Sequence, residues 1–195
     1  NRKAEATASS PDAQSDSIIH PEREHLVSHH QHRREGPATV GCAVITVSDT
    51  RDRESDRSGK LIEDRLKESA HEVVHYVIVK DSPRRIVGEL AILGENSKCQ
   101  AIILNGGTGI AARDNTFDAI SRLLDKRLDG FGEIFRYLSY KEIGSAAIMS
   151  RALAGTYRGR ILISLPGSTA AVKLAMDKLI LPELSHMVGT ITPIL

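Results

Sequence analysis

Two cysteines, Cys42 and Cys99, are the only thiols in 195 residues, and they lie far apart inside apolar runs. They make neither a disulfide framework nor a zinc-ligand pattern, which points to a reducing cytoplasm. Charge of one sign is lacking as well. Lys and Arg number 26 against 25 Asp and Glu, a formal net charge of +1. The positive excess that marks a nucleic-acid binder is therefore missing. No stretch approaches the ~20 apolar residues of a membrane span. Neither a nucleic-acid nor a membrane partner is expected. Residues 1–16, NRKAEATASSPDAQSD, hold no apolar core, so no secretory signal is read there. Tryptophan is absent and aromatic residues reach only 4%, yet the 41% hydrophobic and 26% charged content is that of an ordinary soluble globular protein. No internal repeat is visible.

The chain divides into two parts. Residues 1–37 are rich in Ser, Glu, Arg and His, and carry His20, His25, His29, His30 and His32. These histidines admit a metal-binding reading. Their spacing fits no helical or finger-type ligand set, so a flexible, solvated extension is expected instead. Residues 38–195 read as one domain. VGCAVITVSD (40–49), HEVVHYVIVKD (71–81) and CQAIILN (99–105) are apolar runs rich in β-branched residues, the mark of strands buried on both faces of a parallel sheet. SGKLIEDRLKESA (58–70) and SPRRIVGELAILGEN (82–96) between them have helical spacing, the second with Ser82 as N-cap and Pro83 at its first position. Helices are also expected over 116–126, 130–140 and 141–151. Two short strands within 152–167 turn at Arg158-Gly159, and a final helical region over 168–187 is expected to be interrupted at Pro182. The fold class is α/β: a three-layer α/β/α domain with a mostly parallel sheet plus one antiparallel strand.

In such a sheet, ligands bind beyond the carboxyl ends of the strands. The first strand delivers Ser48 and Asp49 there, and the second delivers Asp81. The third delivers Gly106, Gly107, Thr108 and Gly109 followed by Asp114, and the last delivers Pro166, Gly167 and Ser168. Glycine turns let a ligand approach backbone amides, and successive amides cradle an anion. Two such turns on one edge suggest a phosphorylated ligand. Acids beside anion cradles make sense if a divalent cation, Mg²⁺ with its waters, offsets their charge. That is the layout of phosphoryl or nucleotidyl transfer. Two other motifs fail. Gly107-Thr-Gly109-Ile-Ala-Ala112 fits a dinucleotide fingerprint only formally, because it follows the third strand rather than the first. A Walker A loop is excluded by Glu54 where its first glycine belongs.

AVITVSDTRD, the Ser58-Gly59 pair, the Asp81 turn, ILNGGTGIAARDNTFDAI, DGFGEIFRYLSYKEIGSAAIMSRALAG and LISLPGSTAAVKLA occur in that order. Together they resemble the MoaB/MogA family of molybdenum cofactor biosynthesis proteins, which includes the gephyrin G domain, over residues 38–190. The FRYLSYKEIGSAAIMSRALAG run and the PGST ending are closer to the MoaB branch. The resemblance implies the molybdopterin-binding fold of that family and a homotrimer or a dimer of trimers. It further implies Mg-ATP-dependent adenylylation of molybdopterin and hand-over to a molybdate-insertion protein. By the same resemblance Asp81 and Asp114 are the catalytic, Mg²⁺-positioning acids. Gly106 to Gly109 would hold phosphate, with Ser48, Asp49, Pro166, Gly167 and Ser168 beside them for molybdopterin or ATP. A non-catalytic molybdopterin carrier and an interaction scaffold on the same domain remain the alternatives.

Overall fold

The computed structural model describes residues 36–111, 114 and 116–192. The His-rich segment lies outside them, as does Arg113. Strands β1 (Gly41–Val47), β2 (Glu72–Val79), β3 (Ala101–Asn105), β4 (Lys126–Arg127), β5 (Leu153–Tyr157) and β6 (Arg160–Leu165) form one sheet in the order β2-β1-β3-β6-β5-β4. β2, β1, β3 and β6 run parallel, and β5 runs antiparallel to β6. The expected mostly parallel sheet and its antiparallel addition are both present. β4 was not anticipated. The helix expected over 116–126 stops at Leu123, and Lys126–Arg127 pair with Thr156 and Gly155 instead. Gly155 permits this, since a Cβ there would lie 2.1 Å from the Lys126 carbonyl oxygen. The charged side chains of so short an edge strand also discourage further pairing.

Every residue of β1 and β3 is buried, and alternate side chains enter two cores. Val44 and Ile103 pack with Ile62 and Leu66 of α1 (Arg57–Glu68), Phe135 of α4 (Asp129–Ile143), Val172 of α5 (Thr169–Ala175) and Leu184 and Val188 of α6 (Leu181–Ile191). On the other face, Ile45, Ile102 and Leu104 meet Ile86, Leu90 and Leu93 of α2 (Pro83–Glu95) and Ile120 of α3 (Thr116–Leu123). The i, i+4, i+7 spacing of the α2 residues is the apolar stripe that makes this segment a helix. Both cysteines are buried, and burial pushes Cys99 up to about 11 and Cys42 higher still, so neither presents a thiolate.

Helix ends differ from expectation in three places. Ser82 is the N-cap of α2, but its hydroxyl makes no capping bond. Residues 141–151 are not a separate helix. α4 runs to Ile143, Gly144 ends it at φ 62°, and Gly144–Met149 form a 3-10 turn. Pro182 does not interrupt the last helix. Met176–Ile180 widen into a π turn, and Pro182 follows where its missing N–H and bulky ring do least damage to the ladder.

α1 begins at a buried acid. Asp56, 1% exposed, accepts the Gly59 amide at 3.0 Å and the Tyr76 hydroxyl of β2 at 2.6 Å. Burial, with the Asp56 hydrogen bond and charge adding, pushes the Tyr76 phenol far up, so it stays a neutral donor. A Cβ on Gly59 would stand 2.3 Å from both the Asp56 Oδ2 and Tyr76 Oη atoms. Gly59→Ala is expected to cost roughly 3 kcal/mol, because it overpacks and disrupts a buried polar network. Urea unfolding measures this, and a loss below about 0.5 kcal/mol, the surface-substitution range, would contradict it.

A buried histidine gives the domain a pH dependence. His71 accepts the Val40 amide through Nδ1 at 3.2 Å, and burial lowers its pKa below 6.5. Below pH 6.5 the unfolded chain then binds the proton that the folded chain refuses, so the His71 contribution to stability falls with pH. Thermal unfolding from pH 7.5 to 5 should show a smaller acid loss for His71→Gln than for the native chain. Equal losses would contradict this account.

Candidate functional site

The strand order reverses at β1, because the chain passes from β1 to β2 on one side and then to β3 on the other. The carboxyl ends of β2, β1, β3 and β6 all open onto that edge, so the sequence-expected residues meet there. Gly106 lies at φ 97°, a conformation glycine adopts freely, and a Cβ on it would stand 2.2 Å from the Val47 carbonyl oxygen. Its amide donates to Leu165 at 3.0 Å, and Gly167 sits against its Cα. The two glycine turns therefore touch. Gly107, at φ 64°, packs on Thr116 of α3. Thr116 in turn donates its hydroxyl to Asp81 Oδ1 at 2.6 Å. The Asp81 amide donates to Asp49 Oδ1 at 3.2 Å, so Asp49 holds the backbone of Asp81. Asp114 closes the loop on itself: its Oδ2 accepts the Ala111 amide at 2.9 Å and lies where a Gly109 Cβ would go.

Each turn is held from its carbonyl side. Gly167 O accepts from the Arg51 guanidinium at 3.0 Å and from the Ser58 hydroxyl at 2.9 Å. Arg51 also faces Asp56 at 3.6 Å, which ties the Pro166–Ser168 turn to the start of α1. Thr108 O accepts from Arg151 Nε at 2.9 Å, and Gly109 O from the same guanidinium. Ser48 is engaged within its own loop, where its hydroxyl oxygen accepts the Thr50 and Arg51 amides. Ser168 caps α5 by accepting the Ala171 amide at 3.3 Å. Pro166 leads into that cap at the end of β6.

Asp81 and Asp114 do not bond each other; the Gly107–Gly109 segment links their surroundings. Each has one oxygen outside the hydrogen bonds of the described residues. Among those residues no three His, Cys, Asp or Glu side chains gather closely enough to hold a metal ion. Asp49, Asp81 and Asp114 thus form no three-ligand cluster. Two acids flanking glycine cradles still fit Mg²⁺, which commonly takes one or two carboxylates and completes its shell with water and substrate phosphates. Thr116, Arg51, Arg151 and Asp56 were not singled out from the sequence. Only Asp56, an acid three residues before Gly59 at a helix start, carried a local signal.

No helix among the described residues is long and apolar enough to cross a membrane. The family model described as "Probable molybdopterin binding domain" matches residues 43–186. Molybdenum cofactor biosynthesis protein B of Halalkalibacterium halodurans is 51% identical over 162 residues, 83% of this chain and 95% of its own. A crystal structure of a molybdenum cofactor biosynthesis protein B superposes with a TM-score of 0.77 at 47% identity, covering 80% of this chain and 97% of that one. The tungsten cofactor synthesizing protein MoaB from Pyrococcus furiosus superposes with a TM-score of 0.72 at 39% identity, covering 79% and 98%. With the matched domain spanning most of the chain and half of its residues shared with a relative along four fifths of its length, the chain belongs to the MoaB/MogA family of molybdopterin-binding domains.

Proposed function

We propose that the protein works in molybdenum cofactor biosynthesis, where it binds molybdopterin and adenylylates it with Mg-ATP. The observation that carries this reading is the convergence of two touching glycine turns with Asp81 and Asp114 at the point where strand order reverses. An oxygen of the molybdopterin phosphate attacks the α-phosphorus of ATP. The new P–O bond replaces the one to the β-phosphate, and pyrophosphate leaves with the electron pair. Both reactants are anionic, so orientation and charge dominate the barrier. Bound Mg²⁺ supplies charge neutralisation between them. Asp81, oriented by Thr116 and Asp49, and Asp114, anchored by Ala111, would hold that ion and its waters. The Gly107–Gly109 amides would hold phosphate oxygens, with Gly106, whose own amide is taken by Leu165, shaping the turn, and the Pro166–Ser168 turn would face the second ligand.

The assembly is proposed to be a trimer, or a pair of trimers, built on one apolar surface. Ile134, Tyr137, Tyr140 and Ile143 of α4 and Ile148 and Met149 of the 3-10 turn are all exposed, Ile148 at 79%. A patch of this kind marks a covered interface rather than a solvated face. The product would pass from such an assembly to a molybdate-insertion protein.

Purified protein incubated with molybdopterin and Mg-ATP should yield adenylyl-molybdopterin and pyrophosphate. Asp114→Asn should fold and assemble normally yet lose about 2.7–4 kcal/mol of transition-state stabilisation, roughly a hundred- to thousandfold in kcat, on the scale of one preorganised donor. Tight molybdopterin binding without product from either protein would leave a carrier. No binding would leave a scaffold. For the assembly, Tyr140→Asp with Ile148→Asp should convert the trimer to monomer in light scattering while thermal stability of the fold persists. An unchanged mass would place the interface elsewhere.

A further inference from the structure

Arg151 joins the 3-10 turn to β5, between Ser150, which caps the turn, and the buried Ala152. Its guanidinium lies 4.4 Å from the centre of the Phe117 ring and 3.5 Å from the Asp118 carboxylate. From that seat it donates to two successive carbonyls, Thr108 O at 2.9 Å and Gly109 O. No peptide bond of the described residues is cis. In a trans peptide the C=O and N–H of one unit point in opposite directions. The units held by Arg151 carry the amides of Gly109 and Ile110, which therefore point away from the guanidinium. Among the described residues no acceptor takes the N–H of Gly107, Thr108, Gly109 or Ile110. A positive charge behind the carbonyls also polarises these peptides in the sense that favours an anion in front of the amides.

We propose that Arg151 is the positioning residue of the phosphate loop: it grips the carbonyl side so that the Gly109 and Ile110 amides face a phosphate oxygen of the nucleotide. The fork of a guanidinium is required, because two carbonyls one residue apart must be held from one planar group. The described part of the loop is then held at several points. Gly106 and Gly107 are set by Val47 and Thr116, Thr108 and Gly109 by Arg151, and Ala111 by Asp114. The proposal rests on reading this loop as the phosphate site, but not on transfer taking place.

The test is Mg-ATP binding by calorimetry with backbone hydrogen exchange on the native chain, Arg151→Gln and Arg151→Lys. Arg151→Gln should weaken Mg-ATP by about tenfold or more, the scale of a lost charged hydrogen bond, and speed exchange at Gly109 and Ile110. Exchange in β3 and the thermal midpoint should stay in place. Arg151→Lys, a point charge without the fork, should recover only part of the affinity. Unchanged affinity and loop exchange in Arg151→Gln, or full recovery by lysine, would overturn the proposal. So would failure of the native chain to bind Mg-ATP. If Arg151→Gln loses the fold, the Arg151→Lys comparison decides alone. Weakened binding in a protein that forms no adenylyl product would leave Arg151 in place and remove the transferase reading.

Discussion

The Asp56 carboxylate is the interaction on which the candidate site's edge depends. An acid buried this deeply is tolerated only when its oxygens are satisfied, and three parts of the chain converge to satisfy it. The Gly59 amide makes it the start of α1, the Tyr76 hydroxyl joins it to β2, and Arg51 joins it to the loop after β1. Arg51 then reaches the Gly167 carbonyl, where Ser58 from the same helix end also donates. The position of the last glycine turn is thus set by a carboxylate more than a hundred residues earlier in the chain. Thr46, on the strand between, takes its hydrogen bond from the Asn105 side chain, which extends the same polar layer to the start of the glycine loop.

This layer explains how the glycine turns are held in place by the rest of the fold. Glycines supply the positive φ angles and close approaches, and flexibility would be the ordinary cost. Here the Thr108 and Gly109 carbonyls are held by Arg151, and the Gly167 carbonyl by Arg51 and Ser58. The amides are left facing the open edge. Binding an anion there would demand little reorganisation, which is the condition under which fixed dipoles stabilise charge most effectively.

The sequence made the scaffold and the main residues of the edge legible for one reason. Continuous β-branched runs flanked by amphipathic stretches specify parallel strands, and parallel strands send their carboxyl ends to one side. Asp49, Asp81, Gly106–Gly109, Asp114 and Gly167 follow from that rule. The supporting side chains do not. Thr116 meets Asp81 across 35 residues and Arg151 meets Thr108 across 43. Nothing in the local pattern of a threonine opening a helix, or an arginine after a 3-10 turn, announces such partners. Boundaries failed where backbone packing overrode propensity. Gly155 let Lys126–Arg127 leave a helical pattern for the sheet, and the π turn carried a helix through a proline that local rules read as a break.

The π turn at Met176–Ile180 also acts as a phase adjustment. An α-helix advances about 100° per residue, so one additional residue in a turn rotates everything after it by that angle. α5 presents Val172 and Ala175 to the sheet before the turn, and α6 presents Leu184 and Val188 to the same core after it. The widened turn reconciles two apolar stripes that are out of step in the sequence. The width of that turn is therefore as much a part of the core as the side chains it aligns: if the same residues wound as plain α-helix, the far stripe would rotate by about 100° away from the sheet.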